Sequence, residues 1–254
     1  MSEKSEIPPY VFEPEHEVVR DFAEFSGLSI EELSRLIDDF RRLSAEEWRA
    51  HPGAGWGEKA ATFYGASETY VYDLLRANPS RSFVLEKLGR FEPRLVEALR
   101  EHPGRRLLEF GGGTGVFCQI AVEMGKSVTY LDLPGRASEF AAWRFRKLCL
   151  DVDVVLVRPG DLELHGEWDV IFSDAVFEHL VDPVGTARTL ARHLAPGGFL
   201  GLLIDLEGDN PELPMHRPVD LAAVQGALAA EGLSPRFGLG SFVSGWDRPA
   251  RPGA

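Results

Sequence analysis

The chain has 254 residues, 44% hydrophobic and 26% charged, a balance that fits a globular protein of one large domain or one domain with a substantial cap. Forty Asp and Glu against 27 Lys and Arg give a formal net charge of −13, which argues against a nucleic-acid backbone as the main partner, since that needs a basic face. The polar start MSEKSEIPPY holds no signal-peptide core and the run GGFLGLLI is too short to span a bilayer, so a cytoplasmic protein without a membrane partner is expected.

The first hundred residues read as helical. LSIEELSRLIDDFRRLS places Leu28, Leu33, Leu36, Ile37 and Phe40 at helical spacing, and Ser29 with Glu32 fits a capping box. Ser44 with Glu47 repeats that pattern before Trp48, and a second cap is expected there. HPGAGWG breaks the chain; ETYVYDLLRAN and FVLEKLGRFEPRLVEALREH resume helix. The segment WGEKAATFYGASETYVYDLL is dense in rings, most of them expected in packing. Tyr64, beside a glycine and small residues, is the first choice to face a pocket, and Tyr70 the second.

After Pro103-Gly104 the texture changes. RRLLEF, SVTYLDL, DVDVVLV, WDVIFSD and GFLGLLID are short apolar runs separated by helical segments, the signature of βαβ units and a parallel sheet. GLSPRFGLGSFVSGW reads as a terminal hairpin around Gly240. Cys118 and Cys149 both lie in apolar segments and are expected as reduced core residues. Arg144, Arg146 and Lys147 in AAWRFRKL read as the solvated face of an amphipathic helix, with an acidic-substrate site as the outside reading. The remaining histidines are scattered, the acids lack divalent-cation spacing, and no metal is expected.

The run LLEFGGGTG carries the chemistry. Gly111, Gly112, Gly113 and Gly115 follow a predicted strand that ends near Glu109, where a turn lets a ligand approach backbone closely. The pattern is acid-x-G-x-G-x-G; a dinucleotide fingerprint reads G-x-G-x-x-G and fits poorly. A plain strand-to-helix turn remains an alternative. Asp132, seventeen residues after Gly115, ends the second predicted strand; it is either a turn residue or an acceptor for the two hydroxyls of a ribose, and beside the glycine elbow the ribose role is favoured.

From about Arg105 to the end, the sequence resembles class I S-adenosylmethionine-dependent methyltransferases: LLEFGGGTG, YLDLPG, RPGDLE, EWDVIFSDAVFEHLVDP and LAPGGFLGLLID match the family's motifs in order. The resemblance implies an α/β Rossmann-like sheet with helices on both faces, preceded by an all-helical cap. The division is residues 1–103 as cap and substrate region and 104–254 as the cofactor-binding part. It implies S-adenosylmethionine held by Glu109, Gly111, Gly112, Gly113 and Gly115 at its methionyl end, with Asp132 and Leu133 at the ribose. It places Asp161 near the adenine amine, Leu162 on the ring, and backbone of Ser173 or Asp174 at the end of the fourth strand.

Alignment alone supplies much of the catalysis of methyl transfer, so a general base is optional. His179 is the candidate for a direct acid/base role, with a structural or pocket-wall role open beside it. Tyr64 is the second catalytic candidate, expected to hydrogen-bond the cofactor carboxylate or the substrate, or to face the sulfonium. Tyr70 and Phe177 join Tyr64 and His179 as candidates for the substrate wall, while Glu178 is explained by solvation or a helix N-terminal charge interaction. The expected function is methyl transfer to an oxygen or nitrogen of a small molecule, by analogy a natural product; a homodimer is compatible with it. The alternative is a methyltransferase-fold enzyme that cyclises or cleaves S-adenosylmethionine itself, releasing methylthioadenosine. A non-catalytic binding protein is the third reading.

Overall fold

A computed structural model describes residues 10–158, 162–206 and 210–251. Among them, seven helices come first: α1 Glu17–Ser26, α2 Ile30–Asp38, α3 Phe40–Ala50, α4 Trp56–Ala66, α5 Tyr70–Ala77, α6 Arg81–Phe91 and α7 Pro93–Glu101. Then follow β1 Arg106–Phe110, α8 Val116–Glu123, β2 Ser127–Asp132, α9 Arg136–Lys147, β3 Val152–Leu156 and β4 Trp168–Asp174. A 3-10 turn, Phe177–His179, leads to α10 Pro183–Arg192, β5 Leu194–Leu203, α11 Leu221–Ala230, β6 Ser234–Phe237 and β7 Val243–Asp247.

Local chemistry explains most helix limits. Ser29 Oγ accepts the Glu32 N–H at 3.2 Å while Glu32 Oε2 accepts the Ser29 N–H at 3.0 Å, the reciprocal pair read from the sequence. Pro93 starts α7 at the position where its missing N–H costs no hydrogen bond, and so divides the long helical segment in two. The second expected cap is absent: Ser44 is buried in the middle of α3. Glu47 instead reaches across to the α4–α5 connection, accepting from Ser67 Oγ at 2.6 Å, Glu68 N–H at 2.9 Å and the Thr69 hydroxyl. A carboxylate meeting orphan N–H groups stabilises whichever helix start folds onto it, and here that start is α5.

The sheet order is β3-β2-β1-β4-β5-β7-β6, parallel except for β7, which is antiparallel to both β5 and β6. The terminal pair is the hairpin expected around Gly240. Alternating side chains feed two cores. Leu107, Tyr130, Val170 and Phe172 face one cluster with α8, α9 and the N-terminal helices; Leu108, Leu131 and Ile171 face another with α10 and α11. The N-terminal helices thus share a continuous buried cluster with one face of the sheet. Gly201 of β5 has no side chain because a Cβ would lie 2.7 Å from Leu95 of α7.

Two residues depart from the sequence reading. Cys149 is exposed at the end of α9, with φ of 53°, while Cys118 is buried. Arg144 is fully buried and not on a solvated face: its Nε donates to Asp21 Oδ2 of α1 at 2.8 Å and its terminal nitrogen to Gln119 at 2.6 Å. Only Arg146 and Lys147 face outward, and Lys147 joins the same Asp21. A buried charge persists only with such partners, and this one pins α1 to α9.

Strand order reverses between β1, whose chain continues to β2 and β3, and β4, whose chain continues to β5. Open α/β sheets bind ligands beyond the carboxyl ends of strands at such a point.

Candidate active site

A cavity of about 560 Å³ lies at that point, lined by Glu109, Gly111, Gly112, Gly113, Asp132, Leu133, Leu162, Asp174, Tyr64, Tyr70 and His179 of the residues singled out above. The cluster unites β1, β2 and β4 with α4 and α5. Three sequence candidates stand outside the lining. Gly115 has φ of 71° and packs against Phe145, so it shapes the entry of α8. Ser173 is fully buried behind the strand end, and Phe177 packs into the core under α10. Asp161 lies outside the described residues.

The glycines have distinct reasons. At Gly111 a Cβ would overlap Val176, and at Gly112 it would overlap the Tyr130 ring. At Gly113 the nearest side chain is Leu74 at 3.4 Å, but φ is +52°, a conformation unfavourable to any β-branched residue. Gly112 therefore serves close packing of the turn, Gly113 its path, and Gly111, at φ +74°, both.

Asp132 closes the turn. Its Oδ2 accepts the Gly113 N–H at 2.7 Å and its Oδ1 accepts the Leu133 N–H at 2.7 Å. The Tyr130 hydroxyl, 3.2 Å away, gives its one proton to the Gly113 carbonyl at 2.8 Å. A carboxylate has about four acceptor positions, so roughly two remain for hydroxyls of a ligand. Burial pushes the Asp132 carboxyl above its ordinary value, against the pull of these backbone donors.

Glu109 is 5% exposed, and its Oε2 has no hydrogen-bond partner among the described residues. Burial pushes its pKa up to about 8, with Asp174 and Asp132 adding to the rise and Cys118 opposing it. Asp174 is tied through Oδ2 to Lys87 of α6 at 2.8 Å, while its Oδ1 lacks a partner. Three carboxyl groups around one cavity, two with an uncommitted oxygen, are matched to a cationic ligand. S-adenosylmethionine carries an ammonium and a sulfonium, and the donor set fits it.

On the opposite wall, His179 is held between two tyrosines. Tyr64 Oη lies 2.7 Å from Nδ1 and 2.8 Å from the Met215 carbonyl, and Tyr70 Oη lies 2.9 Å from Nε2. Burial, with His216 ring-to-ring at 4.6 Å, holds the His179 imidazole well below its ordinary pKa and therefore neutral. The neighbouring Glu178 is 1% exposed, which replaces the solvated role read from the sequence; burial holds its carboxyl well above the ordinary range.

Sequence reading did not reach Lys87, Leu74, Asn78, Arg158 or the Met215 carbonyl, all of which line or brace the site. Lys87 and Leu74 belong to amphipathic helices whose pattern shows burial but not destination. Among the described residues no group of three or more His, Cys, Asp or Glu is arranged to hold a metal, and no helix is long and apolar enough to cross a membrane.

A doubly wound sheet with an antiparallel seventh strand and an acid-lined cavity at its switch point defines a Rossmann-like class of α/β protein. A family model described as a methyltransferase domain matches residues 72–245, and the chain belongs to the class I S-adenosylmethionine-dependent methyltransferase family. Ubiquinone biosynthesis O-methyltransferase of Caulobacter sp. (strain K31) is 34% identical over 130 residues, 48% of this chain and 50% of that protein. The same-named protein of Thiobacillus denitrificans is 27% identical over 118 residues, 46% of this chain and 51% of that one. The chain thus spans about half the length of the curated relatives it matches. The solved structure of an O-methyltransferase family protein from Burkholderia thailandensis shares the fold, with a TM-score of 0.57 at 14% identity over 87% of this chain and 73% of that one.

Proposed function

We propose that this chain transfers a methyl group from S-adenosylmethionine to an oxygen of a small, uncharged acceptor, with residues before Gly104 forming the cap of the acceptor side. The observation that carries the reading is the opposition across one cavity of a floor of carboxyl groups (Glu109, Asp132, Asp174) and a neutral His179–Tyr70 pair. S-adenosylmethionine, when bound, supplies a methyl group activated by its sulfonium charge. The backbone of Gly111 to Gly113 and the carboxyl of Asp132 would hold the donor's methionyl end and ribose, with Leu133 beside the ribose and Leu162 beside the base. Ala60, Ala61, Val176 and Leu180 give the acceptor an apolar, water-poor bed. His179 is neutral at physiological pH and accepts a proton; nitrogen acceptors that enter uncharged need that step less. The O-methyltransferase names of the partial relatives agree with oxygen as the target.

The test is incubation of the full chain with S-adenosylmethionine, alone and with a panel of phenols, catechols and small amines, followed by mass spectrometry. S-adenosylhomocysteine formed in step with an acceptor that gains one methylene unit is the expected result. Methylthioadenosine from the cofactor-only incubation would replace the reading with intramolecular use of S-adenosylmethionine.

A further inference from the structure

The hydrogen-bond directions around His179 are fixed by proton counting. Tyr64 has one hydroxyl proton and two acceptor-like neighbours, the Met215 carbonyl at 2.8 Å and His179 Nδ1 at 2.7 Å. A carbonyl cannot donate. Both contacts are attractive only if Tyr64 donates to the carbonyl and receives a proton from Nδ1. Met215 is held for this role by a second donor, the Trp56 indole N–H at 3.1 Å. Nδ1 therefore carries the imidazole proton and Nε2 is a bare acceptor. The Tyr70 hydroxyl, 2.9 Å from Nε2, fills it as donor. A lone pair of the Tyr70 oxygen is then left for a hydroxyl donor, and Tyr70 lines the cavity.

We infer that Tyr70 is the residue that takes the acceptor's proton and relays it to His179 Nε2, and that Tyr64, the Met215 carbonyl and Trp56 position the relay by locking the Nδ1–H tautomer. The relay rests on the methyl-transfer reading; the tautomer lock does not. The acceptor O–H bond breaks, and its proton bonds to the Tyr70 oxygen as the Tyr70 proton bonds to Nε2. The electron pair left on the acceptor oxygen forms the bond to the methyl carbon, and the carbon–sulfur pair goes to the sulfonium sulfur. The resulting imidazolium has Nδ1–H on Tyr64 and Nε2–H on Tyr70, so neither N–H is orphaned. It passes its extra proton back along the same route to solvent when product leaves. Burial holds both tyrosines well above the ordinary phenol range, so Tyr70 acts as a conduit in a concerted shift and not as a standing phenolate. Asp73, Glu178, Asp132 and His216 are the other titratable groups whose fields reach these residues, with Glu178 Oε1 lying 3.8 Å from His179 Nε2.

The tautomer is read without substrate, by NMR of the full chain with isotope-labelled histidine at neutral pH. The wild type is expected to show His179 as a neutral Nδ1–H ring with a hydrogen-bonded Nε2. Tyr64→Phe removes the acceptor for Nδ1–H and moves the ring toward the other tautomer; Tyr70→Phe keeps Nδ1–H and shifts only the Nε2 resonance. A wild-type ring that is Nε2–H or protonated overturns the lock, whatever the variants do. For the relay, Tyr70→Phe and His179→Ala are compared on the acceptor identified from the panel. Each is expected to lower kcat by a similar factor, about 10²–10⁴. The KM for S-adenosylmethionine is expected to stay at its wild-type value, and wild-type kcat in Tyr70→Phe overturns the relay. A chain that forms no methylated product still reports the tautomer, which separates failure of the lock from failure of the proposed reaction.

Discussion

Asp132 accepts the backbone N–H of Gly113 across 2.7 Å, so the acid at the end of β2 also tethers the glycine turn after β1. Two strands' ends are thereby fixed relative to each other by one carboxylate. Asp132→Ala is expected to lose a charge-assisted hydrogen-bond pair to ribose, about 2–3 kcal/mol or roughly 30- to 150-fold in affinity. Because Gly113 and Leu133 lose their acceptor as well, the variant should also unfold at lower temperature. Asp132→Asn, which retains one acceptor oxygen, should recover part of that stability. Titration calorimetry with S-adenosylhomocysteine and thermal unfolding separate the two effects; wild-type affinity in a folded Asp132→Ala would remove this residue from the site.

Much of this was readable in the residues, for a physical reason. The strand-turn-helix of LLEFGGGTG and the acid of YLDLPG are local: periodicity marks the strands, and glycine marks where a Cβ would collide. What stayed hidden joins residues distant in sequence. Lys87 meets Asp174, Glu47 meets the α5 start, Arg144 meets Asp21, and Tyr64 meets both His179 and Met215. Side-chain type gave Arg144 a solvated face because charge is usually exposed; only the approach of α1 turns it inward. Met215 acts through a backbone carbonyl, which every residue has, so no sequence signal distinguishes it.

Glu109 supplies a pH prediction. Its folded-state pKa of about 8 lies above the ordinary 4.5, so the folded chain binds more protons than the unfolded chain between those values. This group's contribution to stability is full below about 4.5 and is lost as pH rises through about 8, with a slope of at most about 1.4 kcal/mol per pH unit. Glu109→Gln should flatten that part of the stability–pH curve. Cofactor binding brings a cation beside the carboxyl and favours its ionised form. Calorimetry in buffers of different ionisation enthalpy should therefore show release of up to about one proton near neutral pH, with affinity rising as pH rises. Identical proton release by wild type and Glu109→Gln would place the source elsewhere.

The two central glycines should fail differently. Gly112→Ala drives a methyl group into the buried Tyr130 ring, so it should cost about 1–3 kcal/mol of stability before any ligand is added. Gly113→Val meets only Leu74 at 3.4 Å but is held at φ +52°, so it should distort the turn and abolish measurable cofactor binding with a smaller loss of stability. Thermal unfolding and S-adenosylhomocysteine titration of both variants give four numbers. Retained affinity in Gly113→Val would mean that the cofactor does not use this turn.

The last prediction concerns the wall opposite the acids. The segment from Trp56 to Tyr72 carries the rings that brace His179, and α4 is tied to the Met215 carbonyl from Trp56 and Tyr64, with the Arg217 guanidinium over the Trp56 ring. A ligand that occupies the cavity favours the closed arrangement of its walls, which include Ala60, Ala61, Tyr64 and Tyr70, by linkage. Amide exchange across residues 56–72 should therefore slow on addition of S-adenosylmethionine or S-adenosylhomocysteine, and exchange in the segment containing Met215 should slow with it. Tyr64→Phe keeps the ring against Phe63 and Tyr70 but deletes one tie, so exchange in the same two segments should quicken without loss of fold. If ligand leaves both segments unchanged while slowing exchange in the glycine turn, α4 is a fixed scaffold. Acceptor entry would then have to be sought along Leu180 and Val181 instead.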